Sequence, residues 1–206
     1  MKKFTLIIFD CDGVMFDTRK VNRLYYNHML SHFNLPEMTD EQFEYSHSHS
    51  VVDAVNYLMK PHDIPENDVY AYLKSINYGE YISHMIINPD LKSLITAIRP
   101  PCYTAIATNR TDTMPKVIKK FELESFFDRV MTAADVKNPK PNPEMLIDII
   151  EHFNVAEDSV LYIGDSQVDE QAASQINIPF AAFQNNSLKA DYHLQALSEI
   201  ESIISG

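Results

Sequence analysis

The residues best able to do chemistry stand where apolar runs end. In FTLIIFDCDGV (4–14) the run stops at Asp10, and Asp12 follows two residues later, just before Gly13. CYTAIAT (102–108) ends on Thr108, with Asn109 and Arg110 behind it. SVLYIG (159–164) leads into Asp165, Ser166 and, four residues past Asp165, Asp169. KNPKPNP (137–143) carries Lys137 and Lys140. Clustered carboxylates repel unless a cation holds them, and oxygen ligands alone favour a hard ion such as Mg²⁺. Such an ion, with a lysine and a hydroxyl, suits a phosphoryl group whose charge must be offset before an anionic nucleophile approaches. Asp10 is then a candidate nucleophile through an aspartyl-phosphate. Asp12 can lie on the same side of an extended segment, placed to protonate the leaving oxygen and later to activate water.

Singly, each feature is ambiguous. A D-x-D pair can be a solvated turn, a terminal threonine a good β-former, a lysine among prolines a surface residue, and GDSQVD a helix start with Asp165 or Ser166 as its cap. Their order becomes informative once the elements that must carry them are considered. Residues 4–9, 102–108, 129–133, 159–164 and 179–183 read as short, fully buried strands. Segments of helical period lie between them: 90–98, 113–121 and 143–153, where Met145, Leu146, Ile149, Ile150 and Phe153 share a face. Alternation of this kind predicts an α/β fold, a doubly wound parallel sheet with helices on both faces. Ligands of such sheets bind beyond the carboxyl ends of the strands, which is where these polar residues fall.

Residues 17–86 interrupt the alternation with amphipathic helical stretches. They hold eight of the eleven tyrosines and six of the eight histidines. The expected organisation is a core of 1–16 and 87–206 with a helical insert over 17–86. In the insert, YSHSHSVVD (45–53) places His47 and His49 among serines. Three readings arise: a loop facing the crevice, a metal site, for which two histidines without a third ligand are poor evidence, or a polar turn leading to a helix capped by Ser50. The turn is preferred. Arg19, Lys20 and Arg23 begin the first insert helix and could attract an anion or form a solvated face.

The formal net charge of −12 argues against nucleic acid or an anionic membrane as partner. Cys11 and Cys102 imply no disulfide framework, and a reducing compartment is the simpler reading. Cys11 lies between the two acids but reads as buried filler. The apolar run after MKK is too short for a signal peptide or a membrane span, so a cytoplasmic protein is expected, either a monomer or a homodimer.

The motifs DCDGV (10–14), ATN with Thr108, KPNP with Lys140 and GDSQVD (164–169) come in the order of the haloacid dehalogenase superfamily. The chain resembles that superfamily's phosphatases, in the phosphoglycolate phosphatase-like branch with an α-helical cap, and the likeness covers nearly its whole length. The resemblance implies a Rossmann-like core with a cap that closes over the crevice and selects the substrate. It implies Asp10 as nucleophile and Mg²⁺ ligand, and Asp12 as general acid/base with its carbonyl on the metal. Thr108 and the Asn109 amide would hold phosphoryl oxygens, with Lys140 bridging nucleophile and phosphate. Asp165 would bind the metal directly, and Asp169 through water or by orienting Lys140. Arg19, Arg23, His47 and His49 are candidates for substrate contact. The presence of Asp12 favours phosphate esters or anhydrides over dehalogenation. A small phosphorylated metabolite is the implied substrate. A phosphomutase of the same fold, or a non-enzymatic binding protein retaining it, are the alternatives.

Overall fold

In a computed structural model of the chain, the described residues are 4–48 and 51–205. The first strand, β1 (Leu6–Phe9), is buried along its whole length, as an apolar run covered on both faces must be. β2 (Phe16–Asp17) ends the first core segment. Four helices follow: α1 (Arg19–His32), α2 (Asp40–Ser48), α3 (Val51–Met59) and α4 (Glu66–Ser75). The chain returns through β3 (Ile86–Ile87), which pairs antiparallel with β2. Strands and helices then alternate: α5 (Leu91–Ile98), β4 (Tyr103–Thr108), α6 (Met114–Lys120), β5 (Arg129–Thr132), α7 (Glu144–Phe153), β6 (Val160–Gly164), α8 (Gln167–Gln175), β7 (Phe180–Phe183), β8 (Tyr192–Leu194) and α9 (Ile200–Ser205).

Two compact units result, divided between Asp17 and Thr18 and between Met85 and Ile86. The α/β unit holds a six-stranded sheet in the order β5-β4-β1-β6-β7-β8, parallel throughout. β1 therefore sits between β4 and β6, and the ends of all three come to one edge. Alternation divides β1 between two faces. Leu6 and Ile8 join an apolar cluster with α7 and α8 that includes Ala105, Ala107, Tyr162 and Ala172. Phe9 meets Phe127 edge-on.

The helical unit buries a core of its own, built from Tyr26, Met29, Leu30, Phe43, Val55, Leu58, Val69 and Leu73. Two local expectations need correction here. Residues 45–48 are neither loop nor turn but the last turn of α2. The helical stretches expected over 17–86 also do not run unbroken to the end of the insert. α4 stops at Ser75, Asn77 accepts the Gly79 amide at 3.1 Å, and a 3₁₀ stretch, Tyr78–His84, takes over. Asn and Gly favour local turns over continued helix. Among the described residues no helix is long and apolar enough to cross a membrane.

Candidate active site

The sheet places Asp10 one residue beyond β1, where its amide still donates to the Ile163 carbonyl at 2.8 Å and so extends the parallel ladder. The chain then turns tightly. The Cys11 carbonyl accepts from the amides of Met15 and Phe16, and the Gly13 amide donates to Phe16. Gly13 has φ +83°, and a Cβ there would fall 1.8 Å from Asp165 Oδ2. Only glycine allows both the left-handed turn and the close approach of Asp165.

Lys140 reaches Asp10 from the loop after β5. The Asn109 side chain grips its backbone at two points, accepting from the Lys140 amide (3.0 Å) and donating to its carbonyl (2.9 Å). The Lys140 side chain is 2% exposed. Its ammonium faces Asp10 Oδ1 at 2.6 Å, Asp169 Oδ1 at 2.7 Å, the Ala107 carbonyl at 2.9 Å and the Tyr162 hydroxyl at 3.0 Å. Asp10 Oδ2 accepts from no described donor.

Asp169 lies in the first turn of α8 and is fully buried. Oδ1 accepts from Lys140 and the Tyr162 hydroxyl, and Oδ2 from the Ser166 amide and hydroxyl. Its carboxylate reaches back to the residue that starts the helix, as in a capping box. GDSQVD is therefore both a helix start and part of this cluster. A carboxylate has about four acceptor positions, and protein donors already occupy that many on Asp169.

Asp165 is held differently. Its carbonyl accepts from Asn185 Nδ2 at 2.8 Å, but no described donor reaches its carboxylate. One oxygen from each of Asp10, Asp165 and Asp169 lies within 4.8 Å of the others. Burial pushes the Asp10 carboxyl up to about 7 against the pull of Lys140, with Asp169 and Asp12 adding to the rise. Burial also raises Asp165 well above its usual range, reinforced by Asp10 and Asp169. Burial opposes the charge on Asp169 too, but Lys140, Ser166 and Tyr162 outweigh it and hold that carboxyl low. Burial likewise opposes the Lys140 charge, yet Asp10 and Asp169 hold the ammonium well above its usual value. One ammonium, paired with Asp10 and Asp169, thus stands in a cluster of three carboxylates; with all three ionised an excess of two negative charges remains, which a divalent cation would cancel. Oxygen donors, one carboxylate without a donor and that charge deficit together fit a hard dication.

Asp12 points to a different partner. Arg110 grips it with two hydrogen bonds, Nε to Oδ2 at 2.7 Å and Nη2 to Oδ1 at 2.6 Å. The Arg110 side chain is 6% exposed and also reaches Thr113. Thr108 is buried at the end of β4, and its hydroxyl accepts the Arg110 amide at 3.2 Å. Sequence reading noted Arg110 behind Thr108 without assigning it a role, and missed Tyr162 altogether. The available signal for Tyr162 was a polar-tipped ring inside the apolar run that leads to Asp165. Cys11 is fully buried, and burial followed by the neighbouring Asp12 pushes its thiol well up, so it is no thiolate nucleophile.

In the helical unit, Arg19 pairs with Glu44 and Arg23 with Asp40 (2.7 Å). Both guanidinium groups stack over Phe43, at 4.8 and 4.4 Å from the ring centroid. Their charges are therefore met by acids of the same unit. His47 stacks on Phe43, and its Nδ1 lies 3.0 Å from Asn22 Nδ2, which makes Nδ1 the acceptor. His49 and Ser50 lie outside the described residues.

Comparison with known proteins adds the last observations. A family model described as haloacid dehalogenase-like hydrolase matches residues 7–183. Pyrophosphatase PpaX of Oceanobacillus iheyensis is 21% identical over 96% of this chain and 95% of its own length. A phosphoglycolate phosphatase of Aliivibrio fischeri is 25% identical over 82% of this chain and 78% of its own. The crystal structure of a haloacid dehalogenase superfamily hydrolase, subfamily IA, from Geobacter sulfurreducens superposes with a TM-score of 0.87 at 29% identity. It covers 98% of this chain and 97% of that one.

Proposed function

The chain belongs to the haloacid dehalogenase-like hydrolases, and we propose that it is a Mg²⁺-dependent phosphatase acting on a small phosphorylated metabolite through an aspartyl-phosphate. The observation that carries this reading is Asp10, with one oxygen held by the buried Lys140 and the other bound by no described donor, inside a carboxylate cluster short of two positive charges. The relatives named as pyrophosphatase and phosphoglycolate phosphatase support a small anionic phosphate compound as substrate. We assign substrate choice to the helical unit, as the family resemblance implies. Cys11 and Cys102, both buried and not joined in a disulfide, fit a reducing compartment, and we place the enzyme in the cytoplasm.

Asp10, Asp165 and the backbone carbonyl of Asp12 would hold the ion, which when bound supplies positive charge against the phosphoryl oxygens. Asp10 Oδ2 attacks phosphorus while the bond to the leaving oxygen breaks, and the Asp12 carboxyl gives that oxygen its proton. Water then attacks phosphorus, Asp12 takes up the water's proton, and the bond to Asp10 breaks to release phosphate. Lys140 offsets the charge of nucleophile and phosphoryl group throughout. Thr108 and the Asn109 amide bind phosphoryl oxygens. Asp169 acts by orienting Lys140 rather than as a direct ligand, because its oxygens are already occupied.

The reading is tested by phosphate release over a panel of phosphometabolites, with Mg²⁺ and with chelator, for wild type and Asp10→Asn. Release that persists in chelator, or in the variant, contradicts it. Two further outcomes are expected. Saturating Mg²⁺ should raise the wild-type Tm by roughly 5–10 °C, and Asp165→Asn should lose more than half of that rise, as read by thermal unfolding. Arg110→Leu, which removes the two hydrogen bonds that orient the Asp12 carboxylate, should lower kcat by roughly 10–100-fold. The loss should be greater for alkyl phosphates than for p-nitrophenyl phosphate, whose leaving group needs little protonation.

A further inference from the structure

We propose that Tyr162 is a positioning residue of this site, whose hydroxyl sets how the Lys140 ammonium is shared between Asp10 and Asp169. The inference rests on the phosphatase reading above and extends it to a residue that no motif marks. Tyr162 lies in mid-β6, beside Ile8 of β1 on one side and Phe180 of β7 on the other. Its ring is fully buried in the apolar cluster under α7 and α8 and tilts against Phe180 at 5.8 Å. The Lys140 ammonium lies over the ring, 5.7 Å from its centroid, and the hydroxyl reaches both Lys140 and Asp169.

The direction of each hydrogen bond there is determined by its partners. The Lys140 ammonium can only donate, and the ionised Asp169 can only accept. The Tyr162 hydroxyl therefore accepts from Lys140 at 3.0 Å and gives its one proton to Asp169 Oδ1. Lys140 has three protons for four acceptors: Asp10, Asp169, Ala107 and Tyr162. Asp10 and Asp169 are the charged competitors, at 2.6 and 2.7 Å. By donating to Asp169 Oδ1, Tyr162 satisfies the same oxygen that pulls on the ammonium. Without that donor, Asp169 draws Lys140 away from Asp10, and the nucleophile loses part of its compensating charge. A merely structural tyrosine would need only one partner for its hydroxyl. This one joins both sides of the ion pair.

The test is a kinetic double-mutant cycle on p-nitrophenyl phosphate with Mg²⁺, using Tyr162→Phe, Asp169→Asn and the double variant. Tyr162→Phe is expected to lower kcat about tenfold with KM changed less than about twofold. In the Asp169→Asn background the same substitution should change kcat by less than about twofold. Phe180→Leu, which trims the neighbouring ring and leaves the polar contacts in place, should lower Tm at least as much as Tyr162→Phe while keeping kcat within about twofold. The proposal is overturned by wild-type kcat in Tyr162→Phe, by an equal loss in both backgrounds, or by a matching kcat loss in Phe180→Leu. Asp10→Asn in the same assay separates the two claims. If it is inactive and Tyr162→Phe is unimpaired, this inference alone falls. If Asp10→Asn is active, the phosphatase reading falls and takes this inference with it.

Discussion

Asp10→Asn should abolish turnover, by roughly 10⁴-fold or more, and at the same time stabilise the metal-free protein at alkaline pH. The two effects have one cause. Burial holds the Asp10 carboxyl at about 7 in the folded chain, against about 3.9 in an unfolded one. Between those values the folded state binds the extra proton, so stability falls as pH rises through that window. Above pH 7 the folded protein carries the whole penalty of an ionised, poorly solvated carboxylate. Asparagine removes that penalty and keeps the shape. In chelator at pH 8 the variant should melt above wild type, and the gap should close as pH is lowered toward 4. Saturating Mg²⁺ should reverse the order, because the wild type gains a ligand that the variant binds poorly. Thermal unfolding across pH, with and without Mg²⁺, measures all of this. A variant that melts lower than wild type at every pH would contradict the charge excess assigned to the site.

Lys140→Met should have the opposite signature. Lysine and methionine are similar in length, so packing changes little, but Asp10 and Asp169 lose the ammonium between them. Removing one partner from a buried ion pair costs about 3–5 kcal/mol, and here two carboxylates are left uncompensated. The Asp10 carboxyl rises further and Asp169 loses the partner that chiefly held it low, so the folded state takes up protons and stability again falls as pH rises. The variant should be close to unfolding at pH 8 and recover on acidification toward pH 5. Activity should fall by roughly 10³-fold even where it is folded. Equal destabilisation at pH 5 and pH 8 would mean that lost packing, rather than charge, dominates.

The parts of this fold that sequence makes legible are those whose signals are local. The run Leu6–Phe9 is apolar enough to be a buried strand, and Val160–Gly164 repeats the pattern. Their parallel pairing follows from the helices between the strands, and it brings Asp10 and Asp165 to one edge. β2, β3 and β8 are only two or three residues long, too short for any periodicity to register. The end of α2 escaped because serine and histidine are weak helix formers, and Tyr45 and His47 are held by ring contacts within the helical unit. Arg110 was visible, but its partner Asp12 lies 98 residues earlier in the chain. Only the neighbouring positions of β1 and β4 reveal that clamp. Tyr162 was hidden for a different reason: tyrosine suits a strand interior, and nothing nearby in the chain asks for its hydroxyl. The arginines at the start of α1 read either as anion attractors or as a solvated face, because Glu44 and Asp40, which pair with them, come from the next helix.

The most direct test of the central claim is chemical trapping of the nucleophile. The enzyme is mixed with Mg²⁺ and a substrate from the panel, quenched during turnover and treated with borohydride, which reduces an aspartyl-phosphate to homoserine. Peptide mass spectrometry then reads the site. The account predicts homoserine at Asp10, dependent on substrate and absent from Asp10→Asn. Homoserine at a different aspartate, or at none while phosphate is being released, would contradict it.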